Sequence, residues 1–165
     1  MRRTPAWAAV TAVLVGLAAV LGGARLLGFE RPAPPVTVVR VVDGDTVEVG
    51  GPAGRERVRL LGVNTPETHH PDRPVECFGP EAEAFTRRAL TGRRVTLEDD
   101  VETHDRYGRR LAYVLVDGRR FNDRLLRLGY ARLLIVPPNG SHRREMLRVE
   151  MDARRAGRGL WARCG

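Results

Sequence analysis

Three separated stretches of this chain carry candidate site residues, and two of these stretches suit a hard cation. Asp45 lies in an Asp-Gly-Asp-Thr segment, and Asn64 and Thr65 follow an apolar run further along the chain. Ca²⁺ prefers oxygen ligands such as carboxylates, side-chain amides and backbone carbonyls. The carboxylate of Asp45, the amide oxygen of Asn64 and the backbone carbonyl of Thr65 are therefore candidate metal ligands.

The same stretches supply groups that hydrolysis of a phosphodiester bond requires. Glu67 is a candidate to orient or deprotonate a water molecule, because in-line attack needs an activated nucleophile. Arg59 and Arg109 can each donate paired N–H groups to phosphate oxygens. Taken singly, each segment is also typical of an ordinary turn or an exposed strand face. Their co-occurrence in one small basic chain indicates a joint site.

Composition favours a single domain with a polyanionic partner. The chain has 165 residues and a net charge of +8, and all 28 basic side chains are Arg. This length suits one domain with a short appendage. The charge favours a partner such as nucleic acid, whereas the exclusive use of Arg is typical of codon bias across a whole chain.

The N-terminus carries the pattern of an export segment. Met1, Arg2 and Arg3 precede an uncharged run over residues 4–24 that is rich in Ala, Val and Leu. This pattern predicts a signal peptide or an uncleaved signal-anchor helix over residues 1–28. Residues 29–35 are predicted to be a Pro-rich linker, and residues 36–165 the folded domain. We therefore expect the domain outside the cytoplasm, either secreted or anchored to the membrane.

Cys77 and Cys164 are the only cysteines of the sequence. In an oxidising compartment we expect them to pair, which would tie the C-terminal tail to the loop before the first helix. The alternative is a metal site that combines Cys77 with His69 and His70, although this spacing fits no familiar zinc pattern.

Periodicity predicts an α+β fold. Strands are expected over residues 36–42, 47–49, 57–63, 94–98 and 111–116, from β-branched runs and alternation. A helix is expected over residues 80–91, a second one is expected to be capped by Asn122 and to end at Gly129, and a third to be capped by Ser141 and closed by Gly157. Five strands of this kind close most naturally as a small barrel.

Several spaced motifs together resemble the staphylococcal nuclease-like (thermonuclease) family over about residues 36–161. The matching stretches are Val42-Asp43-Gly44-Asp45-Thr46-Val47, Val58-Arg59-Leu60-Leu61 with Thr65-Pro66-Glu67, Phe78-Gly79-Pro80-Glu81-Ala82, Asp105-Arg106-Tyr107-Gly108-Arg109 with Leu111-Ala112-Tyr113, Gly129-Tyr130-Ala131 and Leu160-Trp161. They occur in the family's order, and such a set is far more specific than any one of them.

The resemblance implies an OB-fold barrel with three helices and Ca²⁺-dependent cleavage of DNA and RNA. We also expect the protein to be a monomer. It implies that Asp45, Asn64 and Thr65 bind the metal. It further implies that Arg59 and Arg109 contact the phosphate, with Glu67 as the general base. Arg106 and Tyr107 are candidate substrate contacts. Attack that expels the 5′ oxygen and leaves 3′-phosphate products is also expected from the resemblance.

Two departures from the family pattern change what we expect. The family usually carries Asp where this chain has Asn64, so we predict weaker metal affinity, since fewer charged ligands bind Ca²⁺ less tightly. The family's secreted prototype is expected to place tyrosines in the strand before Pro137-Pro138-Asn139, where residues 133–136 here are Leu-Leu-Ile-Val. Base stacking on that strand is therefore expected to be weaker.

Two functions other than a nuclease are also compatible with the sequence. One is a non-catalytic OB-fold module that binds nucleic acid, and the other is a cell-surface calcium or scaffold protein whose nuclease motifs are relics. Asp45, Arg59, Glu67 and Arg109 argue against simple binding, because a module that only binds phosphate does not need a carboxylate facing it.

Overall fold

The computed structural model describes residues 33–52, 54–69, 72 and 74–164. The strands are β1 Val36–Asp43, β2 Thr46–Gly51, β3 Gly54–Leu60, β4 Gly62–Asn64, β5 Arg94–His104, β6 Arg110–Val116, β7 Arg119–Arg120 and β8 Arg132–Leu134. The helices are α1 Gly79–Leu90, α2 Phe121–Leu128, α3 Arg143–Arg155 and α4 Leu160–Arg163. The predicted export segment over residues 1–28 lies outside the described residues, as does part of the predicted linker.

Five strands close into a barrel. The order of pairing is β3-β2-β1-β5-β6, and a parallel pairing of β3 with β6 joins the two ends. The other barrel pairings are antiparallel. This arrangement confirms the predicted α+β fold with a five-stranded barrel. It also places the end of β3 beside the start of β6, which matters for the site because each carries a candidate arginine.

Strand alternation produces the barrel core. Val47 and Val49 of β2 and Val58 and Leu60 of β3 are buried, while Arg57 is exposed and Arg59 only half-buried. Helices α2 and α3 cover one end of the barrel and add Phe121, Leu125, Leu126 and Met146 to the same cluster. A continuous core of this kind stabilises the fold through apolar burial.

Two strand predictions were wrong in their limits. The segment 57–63 is divided between β3 and β4, and the chain turns at Leu61, whose N–H donates to the carbonyl of Ala112 at 3.0 Å. Strand β4 pairs with β8, forming a separate two-stranded ladder. The strand predicted over 94–98 continues to His104. Its extension carries the chain toward the turn that contains Arg109.

Both predicted caps were wrong, although the helices exist. Asn122 lies inside α2, where its amide donates to the carbonyl of Leu61 at 2.8 Å and accepts from the N–H of Val114 at 2.9 Å. Ser141 precedes α3, but its hydroxyl donates to Asp100 at 2.7 Å instead of capping the helix. Polar residues near helix starts were needed for tertiary contacts here, and tertiary contacts override capping propensity.

The helix ends follow the predicted glycines. Gly129 ends α2 in the left-handed conformation with a φ of 72°. A Cβ at this position would lie 2.1 Å from the carbonyl oxygen of Arg158, so the close approach also requires glycine. This contact brings the C-terminal segment against the end of α2.

A disulfide joins Cys77, before α1, to Cys164, after α4, with Cα atoms 5.8 Å apart. It fastens the C-terminal tail to the loop that leads into α1. Within the part of the chain that the structure describes, no helix is long and apolar enough to cross a membrane.

Candidate active site

Asp45 lies in the tight turn between β1 and β2. The turn is supported from two sides: the hydroxyl of Thr86 on α1 donates to the carbonyl of Gly44 at 2.7 Å, and the N–H of Asp45 donates to Asp43 at 3.0 Å. A Cβ on Gly44 would meet the side chain of Thr65 at 2.7 Å. Glycine is therefore required for the turn to approach the Thr65 loop.

Asp45 and the loop after β4 meet through Arg59. Nη2 of Arg59 is 3.0 Å from Oδ2 of Asp45 and 3.3 Å from Oδ1 of Asn64. The N–H of Thr65 donates to the same Oδ2 of Asp45 at 2.9 Å. The structure thus brings the three candidate metal ligands and Arg59 into one cluster, although they come from three separate segments.

Arg59 is held in place by the main chain as well. Its Nη1 donates to the carbonyls of Leu60 at 2.7 Å and Val63 at 2.8 Å, where the chain turns from β3 into β4. One half of the guanidinium is thereby fixed by backbone, and the other half points at the oxygens of Asp45 and Asn64. This arrangement orients a cationic donor without relying on those two side chains alone.

Burial makes Asp45 electrostatically unusual. Its residue is only 5% exposed, and this burial raises the pKa of Asp45 to about 6, against the opposing charge of Arg59 and the N–H of Thr65. The neighbouring carboxylate of Asp43 raises the pKa further. A buried carboxylate next to a second one favours an additional positive charge, because desolvation and repulsion are both relieved by a cation.

The donor set fits a hard cation. The oxygens of Asp45 and Asn64 converge on a single cationic nitrogen of Arg59. Thr65, whose carbonyl is the third candidate ligand, lies beside them because its N–H donates to Asp45. All three are oxygen donors, as Ca²⁺ requires. The described residues contain no group of three or more His, Cys, Asp or Glu side chains that could hold a metal ion.

Arg109 is positioned by the turn between β5 and β6. Asp105 accepts from the N–H groups of Tyr107 at 2.9 Å and Arg109 at 3.0 Å, and its other oxygen accepts from Nε of Arg109 at 2.7 Å. These hydrogen bonds lower the pKa of Asp105, although burial acts in the opposite direction and is the largest influence on it. Asp105 is thus an ionised anchor that aims the Arg109 side chain.

A groove of about 480 Å³ brings the two candidate phosphate-binding arginines together. Arg59, Arg106, Tyr107 and Arg109 all line it. Asp45, Asn64, Thr65 and Glu67 are not among the described residues on its walls. Arg59 therefore belongs both to the oxygen cluster and to the groove, and it connects the candidate metal ligands to the place where a phosphate would be held.

Glu67 lies in the same loop as Asn64 and Thr65. Its Oε1 accepts from the N–H groups of Thr68 and His69, both at 2.8 Å. The main chain of Glu67 is fixed by Glu76, whose N–H donates to its carbonyl at 2.9 Å. The loop also packs on the start of α1, where a Cβ on Gly79 would meet the Glu67 carbonyl at 3.1 Å. The carboxylate is therefore held in a defined orientation.

The departure at residues 133–136 leaves an aliphatic wall. Leu134 and Val136 are 43% and 60% exposed, and both line the groove. Of the two tyrosines among the described lining residues, Tyr107 is 68% exposed and Tyr113 is buried. The guanidinium groups of Arg106 and Arg109 lie 4.8 Å and 5.6 Å from the Tyr107 ring centroid.

Comparison with known proteins identifies the family. The family described as "Staphylococcal nuclease homologue" matches residues 57–163, which include Arg59, Glu67 and Arg109. The chain belongs to the staphylococcal nuclease family. The earlier resemblance is thus confirmed, and the motif arginines lie inside the matched region. Asp45 precedes the matched region, and the barrel connects it to that region through Arg59.

Relatives within the staphylococcal nuclease family cover most of the chain. It is 43% identical over 126 residues to the thermonuclease of Staphylococcus intermedius, covering 76% of this chain and 75% of the relative. It is 39% identical over 125 residues to the thermonuclease of Staphylococcus hyicus, covering 76% and 74%. It is also 35% identical over 132 residues to endonuclease YncB of Bacillus subtilis, covering 79% and 63%. These relationships identify this family member as a nuclease, a hydrolase that cleaves phosphodiester bonds.

Sequence reasoning missed the supports of this nuclease site. Thr86 is fully buried and ties α1 to the Asp45 turn, and Glu83, also buried, accepts from the Thr68 hydroxyl at 3.0 Å. The sequence did contain a signal for these supports: Glu83 and Thr86 are polar residues that lie among the apolar positions of the buried face of α1. Helical spacing places both on the inner face with Ala82 and Leu90.

Proposed function

We propose that this nuclease uses Ca²⁺ to hydrolyse both DNA and RNA, that it leaves 3′-phosphate products, and that it acts as a monomer outside the cytoplasm. One observation supports the proposal most strongly: Arg59 joins an oxygen cluster suited to a hard cation with a groove that also contains Arg109. A cation site and paired phosphate donors are the two parts that phosphoryl chemistry needs side by side.

In this proposal Asp45, Asn64 and the backbone carbonyl of Thr65 hold Ca²⁺. When bound, the ion supplies electrostatic stabilisation for the charge that develops on the phosphate oxygens. Asp45 contributes the one formal negative charge of this ligand set. The amide of Asn64 contributes an oxygen without charge, so the set is weaker than one with two carboxylates.

The arginines bind and orient the phosphate. Arg59 keeps its Nη1 bonds to the carbonyls of Leu60 and Val63 while Nη2 turns to a phosphate oxygen. Arg109, which lines the same groove, contacts the phosphate as a second donor, with Asp105 fixing its Nε. Two preorganised cationic donors favour the transition state more than the ground state, because negative charge builds on the equatorial oxygens.

Glu67 is the proposed general base. The N–H groups of Thr68 and His69 donate to Oε1 and orient the carboxylate. In this proposal the carboxylate orients a water molecule and accepts its proton. Arg106 and Tyr107 contact the nucleotide beside the cleaved bond. Because Leu134 and Val136 of this groove are aliphatic, Tyr107 is the proposed stacking surface.

Export is proposed from the basic and apolar pattern of residues 1–28. Retention of that segment would anchor the enzyme to the membrane, and its cleavage would release the domain. Mass spectrometry of the mature N-terminus separates the two forms.

A cleavage assay tests the proposal. Single-stranded DNA and RNA are incubated with the purified protein in Ca²⁺ and in a calcium chelator, and the product ends are mapped. Breakdown of both polymers with Ca²⁺, loss of activity with chelator and 3′-phosphate ends support the proposal. Salt-sensitive binding without cleavage under every condition would favour the non-catalytic binding module, and neither binding nor cleavage would favour the scaffold reading.

A further inference from the structure

Three arginines lie in a row on one face of β3. Arg55, Arg57 and Arg59 occupy alternate positions of this strand; Val58 and Leu60, which alternate with Arg57 and Arg59, are buried, whereas Glu56 is half-buried. Alternate residues of a strand point to the same side and lie about 6.8 Å apart. The row therefore extends from the catalytic Arg59 along the outside of the barrel, with a spacing close to that of successive phosphates in an extended single strand.

A second groove of about 470 Å³ lies along this row. It is lined by Arg55, Glu56, Arg57, Tyr107, Gly108 and Arg109. Tyr107 and Arg109 also line the first groove, so the two grooves share one wall. The parallel pairing of Val58 with Arg110 explains this proximity, because it places Arg109 beside the middle of β3.

The acidic groups near the row are already engaged. Glu48, opposite Arg57 in the β2–β3 ladder, lies 3.5 Å from Arg57 but binds Arg40 at 2.6 Å. Glu56 accepts from Arg110 at 3.2 Å. Glu48 and Glu56 are each shared with an arginine outside the row, and Asp45 pairs with Arg59 at the end of the row, so the acidic groups neutralise Arg55 and Arg57 only in part.

Arg57 remains available for a ligand. Its side chain is 60% exposed despite the neighbouring Glu48. An exposed ion pair at this distance contributes little free energy and is readily exchanged for a phosphate contact. The geometry therefore provides cationic donors at two further positions beyond Arg59.

We propose that the β3 row binds a single-stranded polynucleotide, with Arg57 and Arg55 contacting the two phosphates next to the one held by Arg59 and Arg109. This inference rests on the proposed function, which supplies the scissile phosphate at Arg59. A single strand is favoured over a duplex for two reasons. The three arginines form a single line, which matches one phosphate backbone, and the exposed Tyr107 ring, on the shared wall, offers a surface for an unpaired base.

The test compares a long substrate with a short one. Arg55→Gln with Arg57→Gln removes two phosphate contacts but leaves Arg59, Arg109 and Glu67 unchanged. For single-stranded DNA of about 12 nucleotides, within the range that one OB-fold covers, we expect KM to rise about tenfold. For a dinucleotide with one phosphodiester bond, both kcat and KM are expected to stay the same.

A binding measurement makes the test independent of cleavage. Fluorescence anisotropy of a labelled oligonucleotide is followed in chelator at rising NaCl. The slope of log K against log salt is expected to fall by about 1.4 in the double variant, because each single-strand phosphate contact contributes about 0.7. Glu48→Gln is expected to tighten binding, since it frees Arg57 from a competing carboxylate.

Arg88→Gln with Arg127→Gln is the matched control, because both side chains are exposed, carry the same charge and line neither groove. Equal losses in the control and the test variant would show a general charge effect and overturn the row as a binding site. If the wild type cleaves DNA but the test variant has the same KM for the 12-nucleotide substrate and the same salt slope as the wild type, the inference is overturned and the proposed function is not. Absence of cleavage with a reduced salt slope in the test variant only would support the row and reject the nuclease function.

Discussion

Replacing Asn64 by Asp tests the electrostatic account of the metal site. An added unit charge at a ligand distance of about 2.4 Å from a divalent cation contributes about 3 kcal/mol in a water-like dielectric. This dielectric is appropriate because Asn64 is exposed. Its Oδ1 already lies 3.3 Å from Nη2 of Arg59. A carboxylate there would gain an ion pair in the metal-free protein, which offsets about 1 kcal/mol.

The net expectation is that Asn64→Asp binds Ca²⁺ more tightly by about 2 kcal/mol, or about 30-fold in Kd. Isothermal titration of Ca²⁺ into both proteins at one pH measures the difference. Asn64→Ala removes the ligand oxygen and should weaken binding relative to the wild type. Equal affinity of the wild type and Asn64→Asp would refute the assignment of residue 64 as a metal ligand.

A charge control separates a local effect from a general one. Thr91→Asp adds the same charge at an exposed position just after α1. The next residue, Gly92, locates this position, because its N–H donates to the carbonyl of Val38 at 2.8 Å. Val38 lies on the part of β1 remote from the Asp45 turn. A Ca²⁺ affinity gain in this control as large as in Asn64→Asp would likewise contradict the account.

Two further predictions concern stability. Burial tends to raise the pKa of Asp100, but hydrogen bonds from Ser141, Val101 and Gly140 outweigh it and lower the pKa to about 2. Asp100→Asn should therefore lose about 1–2 kcal/mol at neutral pH, after allowance for solvent screening, and the loss should vanish as pH falls from about 4 to about 2. Cys77→Ser opens a disulfide with a sequence separation of 87 residues. The free energy of unfolding should fall by about 4 kcal/mol in the chain-entropy model.

Denaturant unfolding measures both stability effects. The sign for Asp100 follows from a folded pKa below the ordinary value of 3.8, so its contribution is present above that pH and lost below it. A difference between Asp100→Asn and the wild type that persists unchanged at low pH would contradict this reasoning. For the disulfide, reduced wild type is the control: it should unfold like Cys77→Ser, and equal stability of the oxidised protein and the variant would reject the predicted contribution.

The sequence predicted the fold class, because strand alternation and turn motifs are local signals. Asp45, Arg59 and Asn64 meet as their residue types indicated, across three segments. The break at Leu61 was missed although Gly62, with a φ of 73°, directly follows it, because a lone glycine in an apolar run also fits a bulge or a close backbone approach within one strand. The interior role of Asn122 was also hidden, because a polar residue near a helix start has the same local pattern whether it caps or bridges.

The three-dimensional structure shows contacts that the spacing of residues along the sequence could not predict. No local pattern indicates that Arg59 contacts both the oxygen cluster and the Arg109 groove, because this depends on the parallel closure of β3 against β6. The same closure brings Arg57 beside Tyr107. Long-range register is a property of the closed barrel, so these relationships appear only in three dimensions.

The rate of phosphodiester cleavage by Glu67→Gln is the most direct test of the central claim. Single-turnover cleavage of single-stranded DNA and of RNA is measured in Ca²⁺, with Ca²⁺ affinity and unfolding followed in parallel. The substitution removes the carboxylate but keeps the side-chain shape. The loss of a general base predicts that the cleavage rate falls at least about 100-fold. Folding and Ca²⁺ affinity are expected to be unchanged. Cleavage by Glu67→Gln within threefold of the wild-type rate, on the scale of a general-base effect, would contradict the account.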